Sequence, residues 1–223
     1  MFKKILIGLV VVLAVLAGVI ASRPDTFAVE RSATIQASPE FAFALVNDFH
    51  HWAEWSPWDK MDASMKRTFD GAASGAGAIY TWTGNNKVGE GKMTVEESKP
   101  NELVRIKLEF IRPFASTNST TFTFTKAGEG TQVNWKMEGH NNFISKAFSL
   151  FMNMDKMVGG DFERGLASMK TAAEASAKKA AEEKAVAEKA AAEKAAAEAA
   201  AAAQAAPPAD GQAATGTASA PVP

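Results

Sequence analysis

Few residues in this chain are typed and spaced for chemistry. There is no cysteine, which removes disulfides, thiolate metal sites and cysteine nucleophiles. The three histidines are His50, His51 and His140. His50 and His51 are adjacent, which is not the i, i+4 spacing that sets two imidazoles on one helical face. No metal site is therefore expected. No nucleophile–base pair and no phosphate loop can be picked out, so no catalytic residue is assigned and nothing asks for a cofactor. What remains are single polar groups, Arg31, Tyr80, Glu90 and His140, each a candidate for a polar position in a pocket. His140 stands just after the last predicted strand, where a titratable group could be placed for proton transfer.

The other concentration is aromatic. WAEWSPW, residues 52–58, holds three of the five tryptophans. Trp52, Trp55 and Trp58 recur at i, i+3, so on a helical turn they share a face. Three readings follow: core packing, Trp55 and Trp58 at the mouth of a pocket, or a belt at a membrane interface. Base stacking on nucleic acid is not supported, because the net charge is −1 and no basic groove accompanies the cluster.

The elements that must position these residues divide the chain into four. Residues 1–23 contain an apolar run from Ile5 to Ala21 behind Lys3 and Lys4. It is at the short edge of a spanning helix, and the leading lysines place the N-terminus in the cytoplasm and the rest outside. A signal peptide cleaved after Ala21 is the rival reading, with Val19 and Ala21 as the small residues. Both put the remainder outside the cytoplasm, in the periplasm of a bacterial cell or secreted. Residues 176–206 are almost all Ala, Glu and Lys, strong helix formers. Their charges recur every five residues and spiral around the helix, so no coiled-coil seam forms. A solvated spacer of roughly 50 Å is expected, with contact to an envelope protein as the functional alternative. Residues 207–223 should be disordered.

Residues 24–175 carry the mixture a core needs. A strand is expected over 27–35. Ser38, Pro39 and Glu40 then open a helix. Short strands follow over 65–69, 78–83, 91–97, 103–111, 120–125 and 131–138. Val104, Ile106, Leu108 and Phe110 alternate with Arg105, Lys107 and Glu109, the period of a sheet wet on one face. One long helix is expected over 143–175. Its apolar stripe is Ile144, Phe148, Phe151, Val158, Phe162, Leu166 and Met169. Gly159-Gly160 within it predicts a bend or a close backbone approach. The sheet must cover its dry face, and this helix is the available cover. The fold class is α+β: a curved antiparallel sheet gripping a long C-terminal helix.

That order of elements resembles the helix-grip fold of the SRPBCC/START-like superfamily, which includes polyketide cyclases, Bet v 1-type allergens and lipid-transfer domains. The nearer resemblance is to bacterial membrane-anchored proteins of polyketide cyclase/dehydrase type. It rests on Trp55-Ser56-Pro57-Trp58, Gly77 with Trp82, Gly89-Glu90-Gly91-Lys92-Met93 and Pro100-Asn101-Glu102. It continues with Gly130-Thr131-Gln132-Val133-Asn134-Trp135, then Asp161-Phe162-Glu163 before Gly165-Leu166. The resemblance spans residues 25–175 and implies a pocket for a hydrophobic ligand more than a reaction. The expected lining is Trp82, Ile106, Leu108, Phe110, Phe122, Trp135 and Met137 from the sheet, with Phe151, Met154 and Val158 from the helix. Met152, Met154 and Met157 crowd one part of that helix, and methionine adapts to variable shapes. The expected partner is a lipid or small apolar molecule. A cyclase or dehydratase activity and an envelope-interaction module are the alternatives.

Overall fold

The computed structural model describes residues 1–151 and 153–205. Its contacts divide the chain into two units, 1–179 and 180–223. The first opens with α1 (Phe2–Ala21), a 20-residue helix apolar and long enough to cross a membrane. Then come β1 (Thr26–Ile35), α2 (Pro39–Asn47) and the short α3 (Trp52–Trp55), flanked by helical turns at Phe49–His51 and Trp58–Lys60. Pro39 stands at the first helical position as expected, but the Ser38 hydroxyl donates to Glu40 Oε1 at 2.5 Å and bonds no backbone amide.

Six more strands form the meander: β2 (Lys66–Gly71), β3 (Ala78–Thr83), β4 (Glu90–Lys99), β5 (Leu103–Arg112), β6 (Ser116–Ala127) and β7 (Gly130–His140). The sheet order is β1-β7-β6-β5-β4-β3-β2, antiparallel throughout. This is the helix-grip sheet the alternation predicts. β6 begins earlier than expected: Ser116 pairs with Phe110, and the polar run Ser116 to Thr121 is strand. Alternation there is between polar side chains, so hydropathy could not show it. Inward Asn118 and Thr120 are buried while Ser119 and Thr121 are half-exposed.

The long helix differs from expectation. It is two helices, α4 (Phe143–Phe148) and α5 (Met154–Ala205). An asparagine caps the start of each. Asn142 Oδ1 accepts from the Ser145 amide at 2.8 Å and starts α4; Asn153 Oδ1 accepts from the Lys156 amide at 3.0 Å and starts α5. Within α5, Phe162, Leu166, Met169 and Ala173 are buried against the sheet's inner side. Ile144, Phe148 and Phe151 are exposed instead. Gly159-Gly160 does not interrupt α5. The close approach is that of a side chain: a Cβ on Gly159 would collide with the Arg31 guanidinium.

The described part of the second unit is helix, and its side chains from 180 to 201 are almost all exposed. Lys184–Glu188, Lys189–Glu193 and Lys194–Glu198 pair at 3.7, 3.9 and 3.9 Å. Such exposed pairs contribute little each. The tail expected over 207–223 lies outside the described residues.

Candidate functional site

Strand alternation puts Tyr80 and Trp82 of β3, Met93 of β4, Leu108 and Phe110 of β5, Thr120 of β6, and Trp135 and Met137 of β7 around one hollow. The Trp82 indole lies across β4, and a Cβ on Gly91 would run into its ring. α5 adds Met157, Val158, Asp161 and Phe162, and the stretch after α2 adds Trp52, Ser56, Trp58, Asp59, Met61 and Met65. Lys87 and Val88 complete the wall. The cavity measures about 320 Å³, within the range of small-molecule sites. Its wall is mainly apolar, with five methionines that can repack around different shapes.

One side of the grip is solid. Trp135 stacks on Phe162 with centroids 3.9 Å apart and on Phe122 at 4.9 Å, and Trp55 meets it edge-on at 5.4 Å. Trp135 and Phe162 belong both to this block and to the cavity wall. The tryptophan cluster is thereby resolved. Trp52 and Trp55 are buried, and their indole N–H groups donate to the carbonyls of Val46 at 3.1 Å and Leu45 at 2.8 Å. They satisfy carbonyls in the last turn of α2, which that helix leaves unpaired. Trp58 alone of the three is only partly buried.

Polar groups in the wall are few. The Asp59 carboxylate accepts from Arg67 at 2.5 and 2.6 Å. Burial, and then the Asp59 charge, push the Tyr80 phenol up to about 12 against the pull of Arg67, so it stays a donor at neutral pH. Among the described residues, two buried side-chain atoms have no protein partner: Thr120 Oγ1 and Trp135 Nε1. An unpaired buried donor costs about 1–3 kcal/mol. Among the described residues no cluster of metal-binding side chains occurs.

Of the residues expected from sequence, Trp82, Leu108, Phe110, Trp135, Met137, Val158, Tyr80 and Trp58 line the cavity. Ile106 and Phe122 are fully buried in the core beside it, and Trp55 is core and not rim. Phe151 is 86% exposed, because the chain leaves the helix between α4 and α5. Met154 opens α5, but its side chain, like all of Met152, lies outside the described residues.

Three polar candidates are elsewhere. Arg31 bonds Glu163 at 2.7 Å and Asp155 at 2.9 Å, fastening β1 to α5. Glu90 pairs with Arg112 at 3.5 Å. His140 is exposed and borders a separate, more polar hollow with Thr26, Lys107 and Glu138. Sequence reasoning missed Met61, Met65, Met93, Asp59 and Thr120. Met93 was legible from the alternation of β4; the others lie in turns or in a strand whose inward face is polar.

A family model described as polyketide cyclase/dehydrase and lipid transport matches residues 26–174. The chain belongs to that family. Several solved structures resemble it at low identity. The di-domain aromatase/cyclase BexL of the BE-7585A biosynthetic pathway is 13% identical, with 70% of this chain and 53% of that one covered and a TM-score of 0.52. The protein of unknown function SA2116 from Staphylococcus aureus is 14% identical over 69% and 96%, at 0.51. The Zhui aromatase/cyclase from Streptomyces sp. R1128 is 13% identical over 67% and 94%, at 0.50. No curated protein matches the chain. These likenesses bear on the fold alone.

Proposed function

We propose that residues 24–175 form an extracytoplasmic binding domain for a hydrophobic molecule or lipid that carries a hydrogen-bond-accepting oxygen. The cavity supports this reading, and one observation carries it: a mostly apolar wall whose residues include Thr120 and Trp135, the two side chains whose Oγ1 and Nε1 have no protein partner among the described residues. Trp135 Nε1 can only donate and the threonine hydroxyl can donate. A carbonyl, ether or hydroxyl oxygen on an apolar body answers both, and apolar burial at roughly 25 cal/mol per Å² supplies the affinity. The family's description includes lipid transport. α1 holds the domain at the outer face of the inner membrane with its N-terminus cytoplasmic, and residues 176–206 serve as a spacer towards an envelope partner.

Native mass spectrometry of the full chain extracted from membranes tests the binding reading. A co-purifying molecule with a long apolar part and an uncharged oxygen is the expected result. Its loss in Leu108→Trp, which fills the hollow, would place it there. Preparations that are empty every time sink the proposal.

A second reading, an enzyme of cyclase or dehydratase type, has Asp59 and Tyr80 in its favour, since both reach the cavity wall. His140 and Glu90 do not. Turnover of an aromatic polyketide-like substrate that disappears in Asp59→Asn with binding retained would support it.

A further inference from the structure

α4 is built inside out. Its one charged residue, Lys146, is buried, while Phe143, Ile144 and Phe148 are 55%, 55% and 48% exposed. Ile144 and Phe148 lie at i, i+4 on one face. Against Phe148, at a centroid separation of 5.8 Å, stands Phe114 of the β5–β6 connection, 62% exposed. Ile111, just before that connection, is exposed too. A helix facing water places these residue types the other way round. A contiguous exposed apolar face of this kind marks an interaction surface.

The occupant follows from what Lys146 holds. Its Nζ donates to the Asp25 carboxylate and reaches the Ala21 carbonyl at 3.4 Å. Ala21 is the last residue of α1. The end of α1 lies against α4, and Ile20 is the one buried residue of α1. A spanning helix leaves the hydrocarbon at its last apolar residue. The lysine therefore fixes α4 at the level of the lipid headgroups.

We infer that the outer face of α4, together with Phe114 and Ile111, lies in the interfacial layer of the bilayer that α1 spans. Interfacial helices bury their apolar face some 5–10 Å into this layer. This inference rests on reading α1 as a retained anchor and on the binding reading of the cavity. It adds a route to that cavity. β5 carries Leu108 and Phe110 in the cavity wall and runs directly on into Ile111. Met157, three residues into α5, is in the wall and about half exposed. A ligand passing between bilayer and cavity along this edge need not cross water.

The chain has no cysteine, so single-cysteine labels are unambiguous. Four full-length variants, Ile144→Cys, Phe114→Cys, Lys126→Cys and Val10→Cys, carry a fluorophore in phosphatidylcholine nanodiscs. Lys126 is exposed and lies ten residues along β6 from Ser116, about 33 Å at strand rise. Nitroxide lipid should quench the labels at 144 and 114 several-fold more than the label at 126. Iodide should do the reverse, and the label at 10 should respond to lipid only. Labels at 144 and 114 that iodide reaches as readily as 126 overturn the inference. So do labels shielded from both quenchers, which would mean that a protein covers this face. If the label at 10 also escapes lipid, the anchor reading falls and takes the inference with it. Ligand retention is read by mass spectrometry in detergent, so the binding reading stands or falls separately.

Discussion

α4 and the first part of α5 carry the same kind of sequence and meet opposite fates. Ile144, Phe148, Phe151, Val158, Phe162, Leu166 and Met169 read as one stripe. From Phe162 onward the stripe is buried against Trp135 and the sheet; before Val158 it is exposed. Periodicity reports that a helix has an apolar side. It does not report what that side meets. Protein covers one half; for the other half, the contact with α1 makes lipid the fitting medium.

The largest effect expected from this contrast is on stability. Phe162→Ala removes a fully buried ring stacked on Trp135 and should cost about 3–5 kcal/mol. Phe148→Ala removes a half-exposed ring and should change stability by about 0.5 kcal/mol or less. Urea unfolding of both variants in detergent makes the comparison. Equal losses would show that α4 packs on protein, and the division between the two halves would disappear.

How much of this was legible varies with the type of signal. Strand alternation over 103–111 and 131–138 pointed to the sheet and its inner face, since Val104, Ile106 and Leu108, and Val133, Trp135 and Met137, alternate with charged or polar neighbours. The helix-grip order followed from those strands and one amphipathic helix. The break between α4 and α5 was written in Asn153, but it is a lone cap inside a convincing apolar period, and the period outweighed it. Of the site, the large lining residues on strands could be named. Asp59, Met61 and Met65 could not, because they enter from turns whose path depends on tertiary packing. Arg31 was expected as a polar group of the pocket, and it bonds α5 instead. It is inward because Gly159 leaves room for its guanidinium, a pairing of residues more than a hundred positions apart.

A second pair of neighbours sharpens the difference between filled and hollow parts of the sheet. Thr120 and Thr121 are adjacent on β6 and point to opposite faces. Thr120→Val removes an unpartnered buried hydroxyl and replaces it with an isosteric methyl. The empty protein should be unchanged or gain up to about 1 kcal/mol. Retention of an oxygen-bearing ligand should fall several-fold, while a plain hydrocarbon of the same length is retained as before. Thr121→Val should alter neither. Thermal melts and native mass spectrometry read the two outcomes. A Thr120→Val protein that loses stability and keeps its ligand preference would mean that the hydroxyl has a structural partner, and the hollow would lose its polar anchor.

The smallest effect separates the two helices by pH. The hydrogen bond from Lys146, then the lysine's charge and a lesser pull from His140, hold the Asp25 carboxyl below the usual carboxylate range. A carboxylate whose folded pKa is depressed stabilises the fold above its unfolded pKa, about 4. That contribution is lost as pH falls through the depressed folded value. Protonation should therefore loosen α4 from the end of α1; α5 has acid-sensitive ties of its own, Asp155 to Arg31 and Glu174 to Lys170, but its contact with the sheet through Phe162, Leu166, Met169 and Ala173 is apolar and should hold it. Amide hydrogen exchange, corrected for its intrinsic pH dependence, should quicken over Phe143–Phe148 below about pH 4 and change less around Leu166. Asp25→Asn should show the loosened state already at neutral pH and respond no further to acid. If α4 in that variant still responds to acid, the tether lies in another group, and the membrane-level placement of α4 would have to be argued from Ile20 alone.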